Sequence, residues 1–131
     1  MRLNGDFYDL VASLPASAGV VYGFDVKLNP EHMIYKAHFP GYPVTPGVCL
    51  LQMAAELASI AENRRLEAHI VKNMKFTDVV SPDRDTRLTF IFTSRVPVEG
   101  TGVKVQGEII ETGCPERVFS KFSLTLTDRN F

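Results

Sequence analysis

The chain has 131 residues, of which 45% are hydrophobic and 22% charged, and its formal net charge is -1 at pH 7. This length and composition predict a single globular domain over residues 1–131 and exclude a disordered or fibrous protein. The charge balance lacks the basic footprint of a nucleic-acid-binding protein. We expect no membrane span, because no uninterrupted apolar stretch is long enough, and a cytoplasmic location, because the first residues lack a signal-peptide pattern.

The first part of the chain contains three short segments with regular patterns. Residues Gly5–Leu14 carry apolar side chains at helical spacing, with Asn4 in the N-cap position, and predict a short amphipathic helix. Alternation of apolar and other residues over Gly19–Leu28 predicts a half-buried strand. The sequence Asn29–His32 is a turn signal, so we expect Met33–Ala37 to be the returning strand.

The segment Val48–Ala61 differs from the rest of the chain in its apolar character. It reads VCLLQMAAELASIA, contains no Gly or Pro, and has only three polar residues, Gln52, Glu56 and Ser59. A helix that is apolar on nearly all sides is normally a buried helix. We therefore expect one long buried helix here.

The remainder of the chain has the pattern of β-strands separated by short turns that contain glycine. One buried helix followed by long antiparallel strands predicts an α+β domain with the helix packed against a sheet. A single sheet leaves unpaired edges and an open face, so we expect two copies to pair strand to strand as a homodimer. The predicted strands are Ala68–Val80, Leu88–Thr93, Val103–Glu111 and Val118–Thr127.

The residues that can carry chemistry are concentrated just before the predicted helix, where His38 to Val48 read HFPGYPVTPGV. Thr45 is placed to cap the helix, and Pro46 suits its first position. Gly47 then offers a backbone N–H at the positive end of the helix, where it can stabilise negative charge on a carbonyl oxygen. One short loop thus supplies a candidate base, His38, and a candidate oxyanion donor.

This stretch resembles the active-site segment of the β-hydroxyacyl-acyl-carrier-protein dehydratases, which follows the pattern HFPxxPxxPGV. The resemblance implies the hotdog fold, in which an antiparallel sheet wraps around one long buried central helix. It also implies that His38 removes the α-carbon proton of the substrate and that the Gly47 N–H binds the thioester carbonyl. In that family an acidic residue fourteen positions after the histidine handles the β-hydroxyl, but that position here is Gln52. The matching residues are His38, Phe39, Pro40, Pro43, Pro46, Gly47 and Val48.

A carboxylate follows one helical turn after the missing acid. Glu56 is four residues beyond Gln52, on the same helical face and about 6 Å further along the axis. This order of glutamine and then glutamate is similar to that in dehydratase-like proteins of aryl-polyene and flexirubin pigment pathways. Glu56 is therefore a candidate for the acid role, and Gln52 for contacting the substrate or ordering a water. The residues alone equally allow a structural polar pair.

The resemblance implies a hydro-lyase that eliminates water from a 3-hydroxyacyl-acyl-carrier-protein to give the trans-2-enoyl thioester, in fatty acid or polyene-type biosynthesis. It further implies a site at the dimer interface, with His38 and the helix residues contributed by opposite subunits. An acyl thioesterase with the same fold is one alternative, and a non-catalytic partner subunit of a dehydratase is another.

The expected partner is acyl carrier protein, an acidic protein that a local basic patch would receive. The implied chemistry needs no metal and no bound cofactor beyond the phosphopantetheine arm of the carrier. The two cysteines, Cys49 and Cys114, also lack the spacing of a metal site. The candidate basic residues are Arg64, Arg65, Lys72 and Lys75.

Overall fold

A computed structural model describes residues 2–37, 41, 43–98, 100 and 102–128 of the chain. Within these ranges, six strands form one sheet in the order β1-β2-β4-β5-β6-β3, and every pairing is antiparallel. The strands are β1 (Tyr8–Leu14), β2 (Tyr22–Leu28), β3 (Leu66–Phe76), β4 (Arg87–Pro97), β5 (Gly102–Glu111) and β6 (Cys114–Asp128), and the helices are α1 (Met33–Ala37) and α2 (Gly47–Glu62).

The long helix α2 is the central element, as its apolar sequence predicts. It extends the predicted segment by one residue at each end, and its buried side chains join those of the sheet in one hydrophobic cluster. Several of these side chains are alanines, which let the helix axis approach the sheet closely. No helix in the described part of the chain has the length and apolarity needed to cross a membrane. The buried residues of α2 are Cys49, Leu50, Met53, Ala54, Ala55, Leu57 and Ala58.

The prediction of a helix over Gly5–Leu14 is wrong, because Tyr8–Leu14 is the edge strand β1. Its side chains alternate between buried or half-buried and exposed, a period of two that the apolar residues at helical spacing concealed. Pairing with β2 satisfies its backbone and overrides the local helical pattern. As a consequence, the N-terminal residues lie against α2 rather than forming an independent helix.

The predicted returning strand over Met33–Ala37 is also wrong, since these residues form the short helix α1. The preceding turn is stabilised by Asn29, whose side-chain oxygen accepts a hydrogen bond from the Glu31 N–H at 3.1 Å. The ring nitrogen Nδ1 of His32 then accepts the Ile34 N–H at 3.1 Å, which caps the first turn of α1. This capping closes the chain into a helix where a strand was expected.

The C-terminal strands follow the predicted pattern with different bounds. The stretch predicted as Ala68–Val80 begins earlier and leaves the sheet after Phe76. The last strand begins at Cys114, immediately after the turn at Gly113, whose φ of 82° favours glycine. Four phenylalanines of these strands belong to the buried hydrophobic cluster: Phe90, Phe92, Phe119 and Phe122.

An ion-pair network around the buried carboxylate of Asp85 fixes the segment between β3 and β4. The guanidinium of Arg117 on β6 donates to the Asp85 carboxylate at 2.6 Å, to Glu111 at 3.0 Å and to Asp78 at 3.2 Å. Asp85, whose side chain is fully buried, also accepts the Ser81 N–H at 3.0 Å. Burial alone would raise the pKa of Asp85, but the hydrogen bonds from Ser81 and Arg117 outweigh it and hold the pKa below its ordinary range.

Substituting Asp85→Asn tests this network. The pKa of Asp85 is lowered on folding, so its ionised form stabilises the protein above the unfolded-state pKa of about 4, and this contribution is lost as pH falls through the lower folded-state value. We expect the substitution to lower the free energy of unfolding at pH 7 by about 2 kcal/mol and to flatten its fall below pH 4. Urea unfolding across pH measures both effects. Asp83→Asn, at an exposed position in the same segment, should reproduce the wild-type curve; an equal effect there would contradict the assignment.

Candidate active site

Helix α2 carries one polar stripe, and this stripe borders a cleft formed by described residues. Gln52, Glu56 and Ser59 follow the spacing i, i+4 and i+7, which places them on one face of the helix. The cleft has a volume of about 590 Å³. It is lined by these three residues together with Arg2, Asn4, Ile60, Arg65, Leu66 and Glu67.

The carboxylate of Glu56 is the most heavily hydrogen-bonded side chain of the cleft. Its Oε2 accepts the Leu3 N–H at 2.7 Å and the Gln52 side-chain amide at 2.9 Å. Its Oε1 accepts the Asn4 N–H at 2.8 Å and the Tyr8 hydroxyl at 2.9 Å. Four donors therefore converge on the two oxygens, and Glu56 anchors the N-terminal residues to the central helix.

The side-chain amide of Gln52 has a defined orientation next to the Glu56 carboxylate. An ionised carboxylate only accepts hydrogen bonds, so the atom of Gln52 that faces it must be Nε2, the donor. The hydrogen bond to Glu56 therefore fixes which side of the amide is the nitrogen and which is the oxygen. The Tyr8 hydroxyl is held protonated by the same site, because burial and the neighbouring Glu56 raise the pKa of Tyr8 well above its ordinary value.

The third residue of the stripe, Ser59, ties the helix to the start of β3. Its hydroxyl donates to the Ala55 carbonyl at 2.7 Å and accepts the Leu66 N–H at 3.0 Å. These bonds hold the far wall of the cleft against α2. Arg65, one of the predicted carrier-protein contacts, lies beside them at the cleft.

The N-terminal turn of α2 differs from the predicted capping arrangement. Pro46, not Thr45, occupies the N-cap position, and Gly47 is the first helical residue. The Thr45 hydroxyl instead forms a hydrogen bond with the Tyr35 hydroxyl at 3.0 Å. The ring of Phe76 lies over Gly47 so closely that a Cβ there would sit 2.7 Å from its Cζ atom. Glycine is therefore what allows an aromatic ring to cover this turn.

The structure brings some of the predicted site residues together. Gln52 and Glu56 are in direct contact, and Gly47 begins the same helix five residues before Gln52, about 7.5 Å along the axis. His38, Phe39 and Pro40 lie outside the described residues. In the part of the chain that is described, no group of three or more His, Cys, Asp or Glu side chains could hold a metal ion.

The predicted basic residues do not form one patch. The guanidinium of Arg64 lies 3.8 Å from the Glu62 carboxylate and 3.9 Å from that of Asp128. Lys72 and Lys75 lie further along β3, roughly 23 Å and 33 Å of strand beyond Arg65. Only Arg65 borders the cleft, where Arg2 accompanies it.

Sequence reasoning missed Arg2 as a residue of the cleft and Tyr8 as a hydrogen-bond donor to Glu56. No local pattern indicates a contact between residues about 50 positions apart. Phe76 was missed for the same reason, since it reaches Gly47 from the end of β3. A glutamate within an otherwise apolar helix was the available signal, because such a carboxylate needs donors from elsewhere in the chain.

Comparison with known proteins identifies the family. The family model described as ApeI-like, ApeI dehydratase, matches residues 18–99, which is more than half of the chain. The chain belongs to this ApeI-like dehydratase family. The matched segment contains the HFPGYPVTPGV motif and also Gln52 and Glu56.

Curated relatives carry the description 3-hydroxyacyl-[acyl-carrier-protein] dehydratase FabZ. The protein from Lactobacillus helveticus is 31% identical over 83 residues, covering 58% of this chain and 55% of the relative. The protein from Rickettsia canadensis is 29% identical over 106 residues, covering 72% of this chain and 69% of the relative. The match thus spans about half the length of the first of these relatives.

Solved structures confirm the hotdog fold. The dehydratase heterocomplex ApeI:P from Xenorhabdus doucetiae contains a chain that superposes with a TM-score of 0.62 at 14% identity, covering 90% of this chain and 96% of that one. At this level of identity the similarity establishes the fold. The expected arrangement of an antiparallel sheet around a long central helix is therefore confirmed.

Substituting Glu56→Gln tests its role as the anchor of the N-terminal residues. An amide can accept on one side only, so it cannot serve the donors that face both carboxylate oxygens. We expect hydrogen-exchange protection of the Leu3 and Asn4 amides to fall by about ten-fold or more. The control is Glu62→Gln, on the same helix but paired with Arg95 at 2.7 Å. Unchanged protection in Glu56→Gln, or equal loss in the control, would contradict the anchoring role.

Proposed function

We propose that this chain is a 3-hydroxyacyl-acyl-carrier-protein dehydratase-like hydro-lyase. It eliminates water from a 3-hydroxyacyl thioester to give the trans-2-enoyl thioester, in fatty acid or polyene-type biosynthesis. The observation that carries the proposal is the match of the ApeI dehydratase family across the motif loop and the polar stripe of α2. The cleft beside that stripe supports it, because it provides room for an acyl substrate next to Gln52.

The proposed reaction starts at the α-carbon, whose proton is acidified by the thioester. His38 removes this proton as general base, and the electron pair forms the new double bond as the bond between Cβ and the hydroxyl oxygen breaks. The departing hydroxide and the proton taken by His38 together account for the released water. The Gly47 N–H stabilises the thioester oxygen while it carries negative charge, helped by the positive end of α2.

Two residues of the polar stripe, Gln52 and Glu56, have roles in the proposed reaction. Gln52 contacts the β-hydroxyl, directly or through a water, and orients it for departure. An amide has no proton to give up at neutral pH, so Gln52 binds and positions rather than acting as an acid. The four hydrogen bonds to Glu56 support a positioning role for this residue too: it holds Gln52 and the N-terminal residues in place.

The proposed partner is acyl carrier protein, which delivers the substrate on its phosphopantetheine arm. Arg2 and Arg65 border the cleft and are positioned to receive an acidic carrier surface. No other cofactor and no metal is required by this chemistry.

The direct test is an assay of the purified chain with a 3-hydroxyacyl carrier-protein substrate, read by mass spectrometry. We expect loss of water, abolition of this loss in His38→Ala, and slower reaction with the corresponding pantetheine thioester, which lacks the carrier protein.

Gln52→Ala should lower kcat/KM by about ten-fold in the same assay, because it removes one hydrogen bond in the transition state.

Gln52→Glu is the informative companion variant. It replaces the amide that now contacts Glu56 at 2.9 Å by a carboxyl group at the position where the resembled family has its acid. We expect this variant to retain activity in the same assay. Loss of the acyl group instead of water in the wild-type assay would indicate a thioesterase. No turnover of either kind would leave the partner-subunit interpretation.

We also propose that two copies pair through the free edge of β3. This strand lies at one end of the sheet, and its central residues are exposed. Ile70, Val71 and Phe76 are 52%, 46% and 52% exposed, an apolar surface that pairing would cover. Joining two β3 edges would continue the sheet across both subunits. It would also bring the cleft of each subunit towards the partner, because Leu66 at the start of β3 lines that cleft.

Substituting Val71→Lys tests this interface. A charge at the centre of the β3 edge should convert a dimer into a monomer at micromolar concentration, as measured by light scattering. Val11→Lys is a matched control, because Val11 is also 46% exposed and lies on β1, the opposite edge of the same sheet. A wild-type chain that is already monomeric, or a control that dissociates equally, would contradict pairing through β3.

The second candidate is a subunit that functions within a dehydratase complex made of different chains. One observation favours it: the carboxylate of Glu56 is already engaged by four donors. The resemblance described above adds that glutamine stands at the position where that family has an acid. A solved relative by fold is itself described as a dehydratase heterocomplex. Dehydration by the purified chain alone separates this candidate from the first.

A further inference from the structure

The edge strand β3 has an apolar face that its own chain covers only in part. Its residues on the core side of the sheet are those that pair with buried leucines and a buried phenylalanine of β6. Val71 on this side is nevertheless 46% exposed, and Phe76 at the end of the strand is 52% exposed. The core side of β3 therefore keeps apolar surface for another chain to cover. The paired residues are Ala68, Val71 and Met74, opposite Leu126, Leu124 and Phe122.

The outer side of β3 carries charges of both signs at symmetric positions. Glu67 and Lys75 pair with polar residues of β6 and point away from the core. Each of them is four residues from Val71, which is itself the middle residue of the strand Leu66–Phe76. A copy of β3 that runs in the opposite direction about Val71 would therefore meet each charge with its opposite.

We infer that β3 pairs with β3 of a second copy in the register that places Val71 opposite Val71 of the partner subunit. This goes beyond the pairing proposed above, because it fixes which residues meet. All residues of the strand are then paired, and Glu67 lies opposite Lys75 of the partner subunit on both sides of the two-fold axis. On the core side, Leu66 lies opposite Phe76 of the partner subunit, so apolar side chains meet there.

Other registers bring like charges together or pair unlike faces. A centre at Ile70 places Lys75 opposite Arg65 of the partner subunit, and a centre at Lys72 places that residue opposite Lys72 of the partner subunit. A centre between two residues would oppose core-side and outer side chains, whereas residues directly opposite in an antiparallel pair point to the same side of the sheet. The register centred on Val71 avoids all of these conflicts.

The register also completes one wall of the cleft. Of the described residues that line the cleft, only Ile60 and Leu66 are apolar. Residues directly opposite in an antiparallel pair have Cβ atoms about 5 Å apart. The ring of Phe76 of the partner subunit would therefore lie against Leu66 and add apolar surface at this end of the cleft.

The consequence for the substrate rests on the proposed function, whereas the register does not. Ser59, which accepts the Leu66 N–H, is seven residues beyond Gln52, about 10 Å along the helix. A long acyl chain whose β-hydroxyl lies at Gln52 would reach the wall formed by Phe76 of the partner subunit, and a short one would not. Phe76 is thus assigned a role in the selection of acyl chain length.

A disulfide at the two-fold axis tests the register directly. In a Cys114→Ser background, which removes the less buried of the two native cysteines, Val71→Cys should oxidise to a covalent dimer. Ile70→Cys is the matched control, since Ile70 is 52% exposed but its two copies would be displaced along the strands. We expect about ten-fold more covalent dimer with Val71→Cys on a non-reducing gel, because residues directly opposite are within the Cα distance of a disulfide. Equal or greater cross-linking of Ile70→Cys would overturn the register.

Charge reversal gives a second, independent test. Lys75→Glu places two carboxylates opposite each other near both ends of the paired strands, and should raise the dimer dissociation constant by about ten-fold in analytical ultracentrifugation. Adding Glu67→Lys restores opposite charges and should return the constant to within about three-fold of wild type. Lys72→Glu reverses a charge that lies opposite Ile70 of the partner subunit, so this control should have little effect. Absence of rescue, or equal weakening by the control, would contradict the inferred pairs.

Phe76→Ala tests the contribution of this side chain to the cleft of the other subunit. At concentrations where the variant is dimeric, we expect kcat/KM to fall by about ten-fold for a 3-hydroxydecanoyl thioester and to stay within about two-fold of wild type for 3-hydroxybutyryl. The ring also covers Gly47 of its own chain, but a defect there would affect both substrates equally, and that result would refute the role in chain-length selection. If the wild-type chain dehydrates neither substrate, the proposed function fails, and the disulfide and dissociation measurements alone decide the register.

Discussion

A helix that is buried on most sides must still satisfy every polar side chain that it carries, and this requirement shapes the whole protein. Three polar residues of α2, Gln52, Glu56 and Ser59, form one stripe at helical spacing. Their partners come from the N-terminal residues, β1 and the start of β3. The elements that satisfy the stripe also form the walls of the cleft beside it. The same contacts therefore satisfy the polar groups of the buried helix and form the cleft.

The pairing of Gln52 with Glu56 changes how the family chemistry has to be understood in this chain. The carboxylate of Glu56 accepts four hydrogen bonds, so both of its oxygens are already engaged by groups of the protein. Glu56 contributes rigidity, because its carboxylate fixes the amide of Gln52 and the backbone of Leu3 and Asn4. The polar group nearest the proposed substrate is then a neutral amide. In the proposed reaction, such a site aligns and binds the substrate, and proton transfer is assigned to His38.

The motif loop depends on parts of the fold that are distant in sequence. Thr45 connects to α1 through its hydroxyl and to the segment after β3 through its backbone. That segment is held by Arg117 of the last strand, which binds three carboxylates. The end of the motif that precedes α2 is therefore held by contacts with parts of the chain before and after it.

The sequence by itself determined the central helix, the antiparallel strands that follow it, and the family. Val48–Ala61 is apolar over four turns, and the motif before it has fixed spacing, so neither depends on distant contacts. Gly5–Leu14 and Met33–Ala37 were wrongly predicted because they are short, and their state is decided by pairing with β2 and by capping at His32. The tertiary structure alone decided that Glu56 is an anchor point and that Thr45 binds Tyr35 instead of capping α2. Both outcomes depend on donors and acceptors brought close only by folding, for which the local sequence carries no periodic signal.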